Sequence, residues 1–458
     1  MALRIFLALL LLVIIGVVAF IAFSWRPAIA PIEPPTRSSF DTDLVSRGAH
    51  LSAIGNCVVC HTAPEGQPYA GGYAMKTPFG IIHGTNITPD PDTGIGRWSQ
   101  AAFTRALREG VDREGRHLYP AFPYDHFTSL SDGDIRALYA YTMTREPVRD
   151  LPPENELPFP FNIRMLVAGW KLLFFERTAF RADLARTPEW NRGAYLTQSL
   201  GHCGACHTPR NAFGAEQKKQ YLAGADIEGW HAPAINAAST VPVPWSVDSL
   251  FNYLRFGTSE QHAVAAGPMA HVVQNLAGVP ESEVRAIASY VASIMGPPDE
   301  LRQQHAEKAL AIARSANAAV GEYVPEPYTQ QRASSESMRT GAQLYAGSCA
   351  VCHNALRRPP GSPSAEALHL SLASAVALPR PANLIRIILQ GLAPPDGESG
   401  SYMPGFAGEY TDKQIAHLVS YLRASYSAGS EWRDIEDEVR EVRRSLGSKG
   451  DNSETAKR

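Results

Sequence analysis

Cysteine is scarce in this 458-residue chain: there are six, and none stands outside a Cys-x-x-Cys pair. No thiol is spare for a disulfide framework, which excludes the cross-linked class of small secreted folds. Charge of one sign is lacking too, since 42 Lys and Arg against 45 Asp and Glu leave a net −3. Such a balance implies neither nucleic acid nor an acidic substrate as partner. The only long unbroken apolar run is Ile5 to Phe23. Glycine and proline, at 36 and 35, are not scarce. They suit small helical domains with long loops, of which this length predicts about three.

What is present is a repeat. Cys57-Val-Val-Cys60-His61, Cys203-Gly-Ala-Cys206-His207 and Cys349-Ala-Val-Cys352-His353 recur at a constant interval of 146 residues. Cys-x-x-Cys-His is the attachment site of c-type haem. Two thiols add across the haem vinyl groups, and the adjacent His binds iron from one face. A zinc site would draw four ligands from two such knuckles and leave the third odd. A redox dithiol would not recur at domain spacing. The motif predicts three covalently bound haem c groups, with His61, His207 and His353 as axial ligands.

The similarity extends past the cysteines, as a repeat architecture requires. Lead helices carry Arg47-Gly48-Ala49-His50-Leu51, Arg192-Gly193-Ala194-Tyr195-Leu196 and Thr340-Gly341-Ala342-Gln343-Leu344. Their small residues predict close packing on another helix. Amphipathic helices close each repeat around Asp134–Tyr141, Glu283–Tyr290 and Gln414–Tyr421, with Ser131, Ser282 and Thr411 as N-caps. Between them a third helix ends in Gly110, Gly257 or Gly391. Twelve residues beyond the last two glycines stand Met269 and Met403, the expected sixth iron ligands. Twelve beyond Gly110 stands Phe122, which cannot bind iron. His126 is chosen for the first haem over His117, Met75 and Met143, as the nearest downstream donor on the same loop. Pro64 and Pro209 are expected either to offer the carbonyls that orient the motif histidines or only to form loops.

The apolar run of 19 residues, flanked by Arg4 and Arg26, exceeds a signal-peptide core and approaches the length of a span. An uncleaved anchor is favoured over a cleaved signal, although Ala28-Ile29-Ala30 resembles a cleavage site. Haem attachment outside the cytoplasm then places the rest in the periplasm, against the bacterial inner membrane. The expected division is anchor 1–25, stiff linker 26–45, cytochrome domain 46–150, apolar connector 151–189, and second domain 190–300. A polar linker 301–338, third domain 339–428 and solvated tail 429–458 follow. The connector reads either as a docking surface for a partner subunit or the membrane, or as packing between the first two haem domains. The fold class is all-α: three tandem class I cytochrome c domains behind one N-terminal transmembrane helix.

Over nearly its whole length the chain resembles the three-haem cytochrome c subunits of membrane-associated periplasmic dehydrogenases. Carrying stretches are Gln67–Gly72, Thr85–Asp90 with Gly94-Ile-Gly96, Tyr119–Tyr124 and Gly201–Arg210. In the alcohol dehydrogenase subunits the Tyr-Pro-Ala-x-Pro-Tyr loop has Met where Phe122 stands. The anchor and Tyr-Pro-Ala-Phe-Pro-Tyr-Asp-His126 look more like cytochromes that accompany molybdenum hydroxylases. The resemblance implies an electron-transfer subunit that serves a dehydrogenase catalytic subunit (molybdopterin, quinoprotein or flavoprotein) and reduces ubiquinone or a terminal oxidase. Two other readings stay open: a peroxidase-like enzyme or sensor with an open first haem, and an independent quinol-to-oxidase wire.

Overall fold

The computed structural model describes residues 1–318, 335–353, 369–393, 402–427 and 429–455. The protein is mostly helical, with two-stranded hairpins as the only sheets among the described residues. It divides into two compact units. Unit 1 comprises Met1–Ala205, Asn211–Ala215 and Gly278–Pro280; unit 2 comprises Cys206–Arg210, Glu216–Ala277 and Glu281–Arg458.

Unit 1 contains helices α1 (Ala2–Ser24), α2 (Thr42–Ile54) and α3 (Cys57–Cys60), then hairpin β1–β2 (Ala74–Thr77, Gly80–His83). There follow α4 (Gln100–Glu109), α5 (Tyr124–Phe127), α6 (Asp132–Met143), α7 (Leu166–Phe174) and α8 (Pro188–Gln198). Helix α1 is long and apolar enough to cross a membrane, and only Ser24 at its end is buried. The Pro-rich stretch after it, expected to be a stiff spacer, is tied to the body of unit 1. The Ile29 and Ile32 N–H groups donate to the Arg113 and Arg97 carbonyls at 2.8 and 3.0 Å, and Arg37 pairs with Glu146 at 2.7 Å. Proline removes donors from this stretch, and these remaining N–H groups find carbonyls.

Helix α2 packs across α6. Ser131 caps α6 by accepting from the Asp134 N–H. At the crossing, a methyl added to Gly48 would lie 2.0 Å from the Ala137 carbonyl oxygen and 2.6 Å from Tyr141 Cβ. The buried Asp134 carboxylate accepts from Arg47 Nη2 and from the Tyr195 hydroxyl, both at 2.6 Å. Residues on both lead helices, α2 and α8, thus share one buried charge on α6. Helix α4 ends at Gly110, left-handed at φ 59°, as its position predicts. The apolar connector is partly packed and partly exposed: α7 buries Val167, Ala168 and Lys171, and exposes Leu172 and Leu173.

α9 (Gly204–His207) follows in sequence. Unit 2 holds hairpin β3–β4 (Ala225–Ile227, Trp230–Ala232), α10 (Val247–Phe256), α11 (Pro268–Leu276), α12 (Glu281–Met295) and α13 (Glu300–Ala318). Its last helices are α14 (Glu336–Leu344), α15 (Ala350–His353), α16 (Ala382–Gln390), α17 (Asp412–Tyr426) and α18 (Ile435–Thr455). Residues 319–334, within the expected polar linker, lie outside the described residues. Helix α12 begins at Glu281, directly after Pro280, so Ser282 is inside its first turn rather than its N-cap. Thr411 does cap α17, through a reciprocal box with Gln414.

Helix α14 packs on α17 as α2 does on α6, and a methyl on Gly341 would lie 2.3 Å from the His417 carbonyl. The core beside it joins Leu384, Ile385 and Ile388 to Ile415, Leu418 and Val419. Val439 and Val442 of α18 complete that core. The stretch expected to be a solvated tail is therefore in part a packed helix, and Arg443 pairs with Asp412 at 2.7 Å.

Gly48→Ala and Gly341→Ala are expected each to destabilise the holoprotein by ~1–3 kcal/mol through overpacking, despite alanine's better helix propensity. Gly347→Ala, with nothing within 4 Å of the added methyl, is the neutral control. Thermal unfolding followed by circular dichroism checks the three.

Candidate haem-attachment sites

Helix α3 is one turn that carries both first-motif thiols, and the chain enters it through Asn56 in the left-handed region, φ 53°. None of the six cysteines forms a disulfide. His61, just past the turn, places Nδ1 2.7 Å from the Thr85 carbonyl oxygen. A carbonyl only accepts, so Nδ1 carries the proton and the Nε2 lone pair is left for a metal. Burial holds the His61 pKa below its usual value, which keeps the ring neutral. Hairpin β1–β2 delivers Thr85 to this position. Its exit, Gly84, lies so near the motif that a methyl there would be 1.8 Å from the Cys60 carbonyl oxygen.

The second motif repeats this scaffold. Cys203 precedes α9, and His207 sets Nδ1 2.7 Å from the Pro233 carbonyl, just past hairpin β3–β4. The parallels are close. The His61 carbonyl accepts from the Gly71 N–H at 2.8 Å, and the His207 carbonyl from the Gly224 N–H at 2.7 Å. Thr62 Oγ1 accepts from the Tyr69 N–H, and Thr208 Oγ1 from the Leu222 N–H. Tyr69 and Leu222 are both left-handed, at φ 65° and 59°. The orienting carbonyls are thus 24 and 26 residues from their histidines, not those of Pro64 and Pro209. The signal for this scaffold was the Thr directly after each His with Ala-Gly further on; the hairpin carbonyls themselves carry no sequence mark. Burial raises the Cys206 thiol to about 11.

In the third motif, Cys349 closes a wide turn over Tyr345–Cys349, and Cys352 and His353 lie on α15. Residues 354–368, where a comparable loop would follow, lie outside the described residues. Burial raises the Cys349 thiol to about 11, with Cys352 as a lesser cause.

Met403 pairs its backbone with Leu392, N–H to O at 2.8 and 2.9 Å, and packs on the same apolar cluster as Cys349. Gly391, at φ 75°, makes room: a methyl there would lie 2.3 Å from the Met403 carbonyl. Met269 is the second residue of α11, which Pro268 opens after Gly267, where a methyl would lie 2.4 Å from the Trp230 indole. Trp230 belongs to β4, so one hairpin supports both the Met269 loop and the carbonyl that holds His207. Phe122 packs edge-on against Phe127 at 5.4 Å. His126 is buried on α5, with Nδ1 2.9 Å from the Gln198 carbonyl and its ring 6.4 Å from that of His202. Its neighbours therefore belong to the lead into the second motif. Met143 fills the core beside Ile95 and Tyr139, and His117 holds the Ser24 carbonyl. Paired thiols on one turn beside a neutral imidazole with Nε2 unprotonated at the first motif, the same imidazole arrangement at the second, and a thioether on the same core as Cys349 at the third fit covalently held haem.

Residues 336–422 match the family described as cytochrome c oxidase, cbb3-type, subunit III. The fructose dehydrogenase cytochrome subunit of Gluconobacter japonicus is 37% identical over 424 residues, 89% of this chain and 84% of that protein. The gluconate 2-dehydrogenase cytochrome c subunit of Pantoea cypripedii is 35% identical, over 84% of this chain and 86% of that one. The chain belongs to the cytochrome c subunits of dehydrogenases. Covalently bound haem c is the prosthetic group of this cytochrome. A subunit of nicotinate dehydrogenase from Pseudomonas putida is 46% identical over 432 residues, 93% of this chain. The chain spans about a third of that relative's length (34%).

Gly84→Ala is expected to push β1–β2 from the first motif and lower covalent haem at Cys57 and Cys60, leaving the other two motifs loaded. Haem-peptide mapping by mass spectrometry checks it; full loading of the first motif would show that the close approach is dispensable.

Proposed function

We propose that this chain is a three-haem electron-transfer subunit. It is built as three tandem class I cytochrome c domains, held at the inner membrane by α1 with its haem domains in the periplasm. It takes electrons from a partner dehydrogenase and delivers them to ubiquinone or a terminal oxidase. The observation that carries the reading is the constant 146-residue interval of three Cys-x-x-Cys-His motifs, two of them on the same His–carbonyl, Gly and Thr scaffold. The 46% identity to a nicotinate dehydrogenase subunit favours a dehydrogenase of that kind over a sugar or alcohol dehydrogenase as partner. The resemblance carried by the anchor and the Tyr119–His126 loop implies that such a partner is a molybdenum hydroxylase.

The haem, when bound, supplies a one-electron couple, and the chain's residues do the rest. Cys57, Cys60, Cys203, Cys206, Cys349 and Cys352 fix it covalently. His61, His207 and His353 would each offer an imidazole nitrogen to the iron, and the carbonyls of Thr85 and Pro233 hold the first two imidazoles in the tautomer that leaves Nε2 unprotonated. Met269 and Met403 would offer thioethers to the second and third haem irons, and thioether ligation would raise their potentials. His126 is assigned to the first haem as the nearest downstream donor on the loop where Phe122 stands in place of a ligand.

Denaturing mass spectrometry of the membrane-derived protein is expected to give the chain plus three haems, with a molybdopterin-containing subunit co-purifying under mild detergent. Recovery alone would favour the independent wire; a high-spin first haem in the native protein would favour the peroxidase-like enzyme. Met403→Leu is expected to turn one haem in three high-spin by electron paramagnetic resonance. His126→Ala is expected to do the same for another, and an unchanged low-spin spectrum would remove His126 from the ligand set.

A further inference from the structure

Helix α7 buries its lysine and turns large apolar side chains outward. Its buried face carries Val167, Ala168 and Lys171. Its exposed face carries Met165, Leu166, Leu172 and Leu173, the last two 71% and 72% exposed. Positions 165, 166, 172 and 173 recur at helical spacing, so they form one stripe. The loop before it adds exposed Phe159, Phe161 and Ile163. Water would ordinarily select polar residues at these exposed positions, and an apolar surface this continuous calls for a cover.

The structure also says where that cover lies. Helix α7 packs against α1, and a methyl on Gly169 would be 3.5 Å from the Phe20 ring. Phe20 is four residues from the end of α1, about 6 Å along its axis at 1.5 Å per residue. That depth matches an interfacial helix, whose apolar face sinks ~5–10 Å into the headgroup–acyl boundary. The register of the two helices is held by buried polar contacts. Lys171 Nζ donates to the Glu109 and Gly110 carbonyls at 2.7 and 2.6 Å and lies 3.1 Å from His117 Nδ1. His117 Nε2 donates to the Ser24 carbonyl at 2.8 Å. In sequence, Arg164 and Arg177 bracket the stripe, and Trp170 within it and Trp25 at the end of α1 are aromatic residues of the kind that favours the interface.

We propose that the outward face of α7 and the loop from Phe159 lie in the surface of the bilayer that α1 crosses, as a second membrane contact. The occupant of the face is lipid. The proposal rests on the reading of α1 as a membrane anchor, and the experiment separates the two.

The full haem-loaded chain is reconstituted in nanodiscs of phosphatidylethanolamine and phosphatidylglycerol that contain a phospholipid with a diazirine on its acyl chain. After photolysis, adducts are mapped by mass spectrometry. The expected result is adducts in α1 and in peptides spanning 159–175. The paired change Leu172→Gln, Leu173→Gln should cut the second set at least fivefold and leave α1 labelling and haem absorbance unchanged. Adducts confined to α1 would overturn the proposal and retain the anchor. Adducts in neither would overturn both, and would return the face to a protein partner.

Discussion

A histidine that follows Cys-x-x-Cys meets iron only if its Nδ1 proton is already committed elsewhere and its ring is fixed. That requirement governs much of this molecule. The motif turn is too short to supply an acceptor of its own, so a carbonyl must be brought from a distant segment. Hairpins β1–β2 and β3–β4 do this for His61 and His207. The left-handed Tyr69 and Leu222 bend the chain back, and Gly71 and Gly224 tie it to the histidine carbonyl. Each contact is worth only ~1 kcal/mol net. Their shared value is positional: they leave a neutral imidazole one direction in which to donate its lone pair.

The helical frame was legible because its signals are local. Gly48 and Gly341 stood at equivalent places in the repeat, and both meet a backbone carbonyl at a helix crossing. Glycines 110, 257 and 391 do end their helices, because a left-handed or open cap position favours glycine. The orienting carbonyls were not legible, since any residue offers one and the choice depends on where a hairpin ends. Proximity in sequence pointed to Pro64 and Pro209, and proximity in space chose Thr85 and Pro233. Helix α18 was missed for a different reason. Its charge hid Ile435, Val439, Val442 and Leu446, whose four- and three-residue steps mark a buried stripe.

Buried charge does a second kind of positioning. Asp134 is held by Arg47 and Tyr195, so the lead helices α2 and α8 answer to one carboxylate. Breaking such a cluster from one side costs several kcal/mol, because the remaining charge stays buried. Lys171 plays the same part where α7 meets the end of α4. It caps the last carbonyls of α4, where the helix dipole favours a cation, and burial brings its pKa down to about 7.

These contacts change what an anchor does in the proposed reading. A Pro-rich stretch after a spanning helix would ordinarily be a tether, letting a haem domain sweep a volume set by linker length. Here Ile29, Ile32 and Arg37 are bound to unit 1, and Ser24 is buried beneath His117. No slack is left between the end of α1 and the first motif's unit. The orientation of α1 therefore sets the orientation of α3 and its histidine, so the distance from the first haem to the bilayer is a property of the fold. Electron exchange with an acceptor in the membrane then depends on one fixed geometry rather than on the frequency of encounters along a leash.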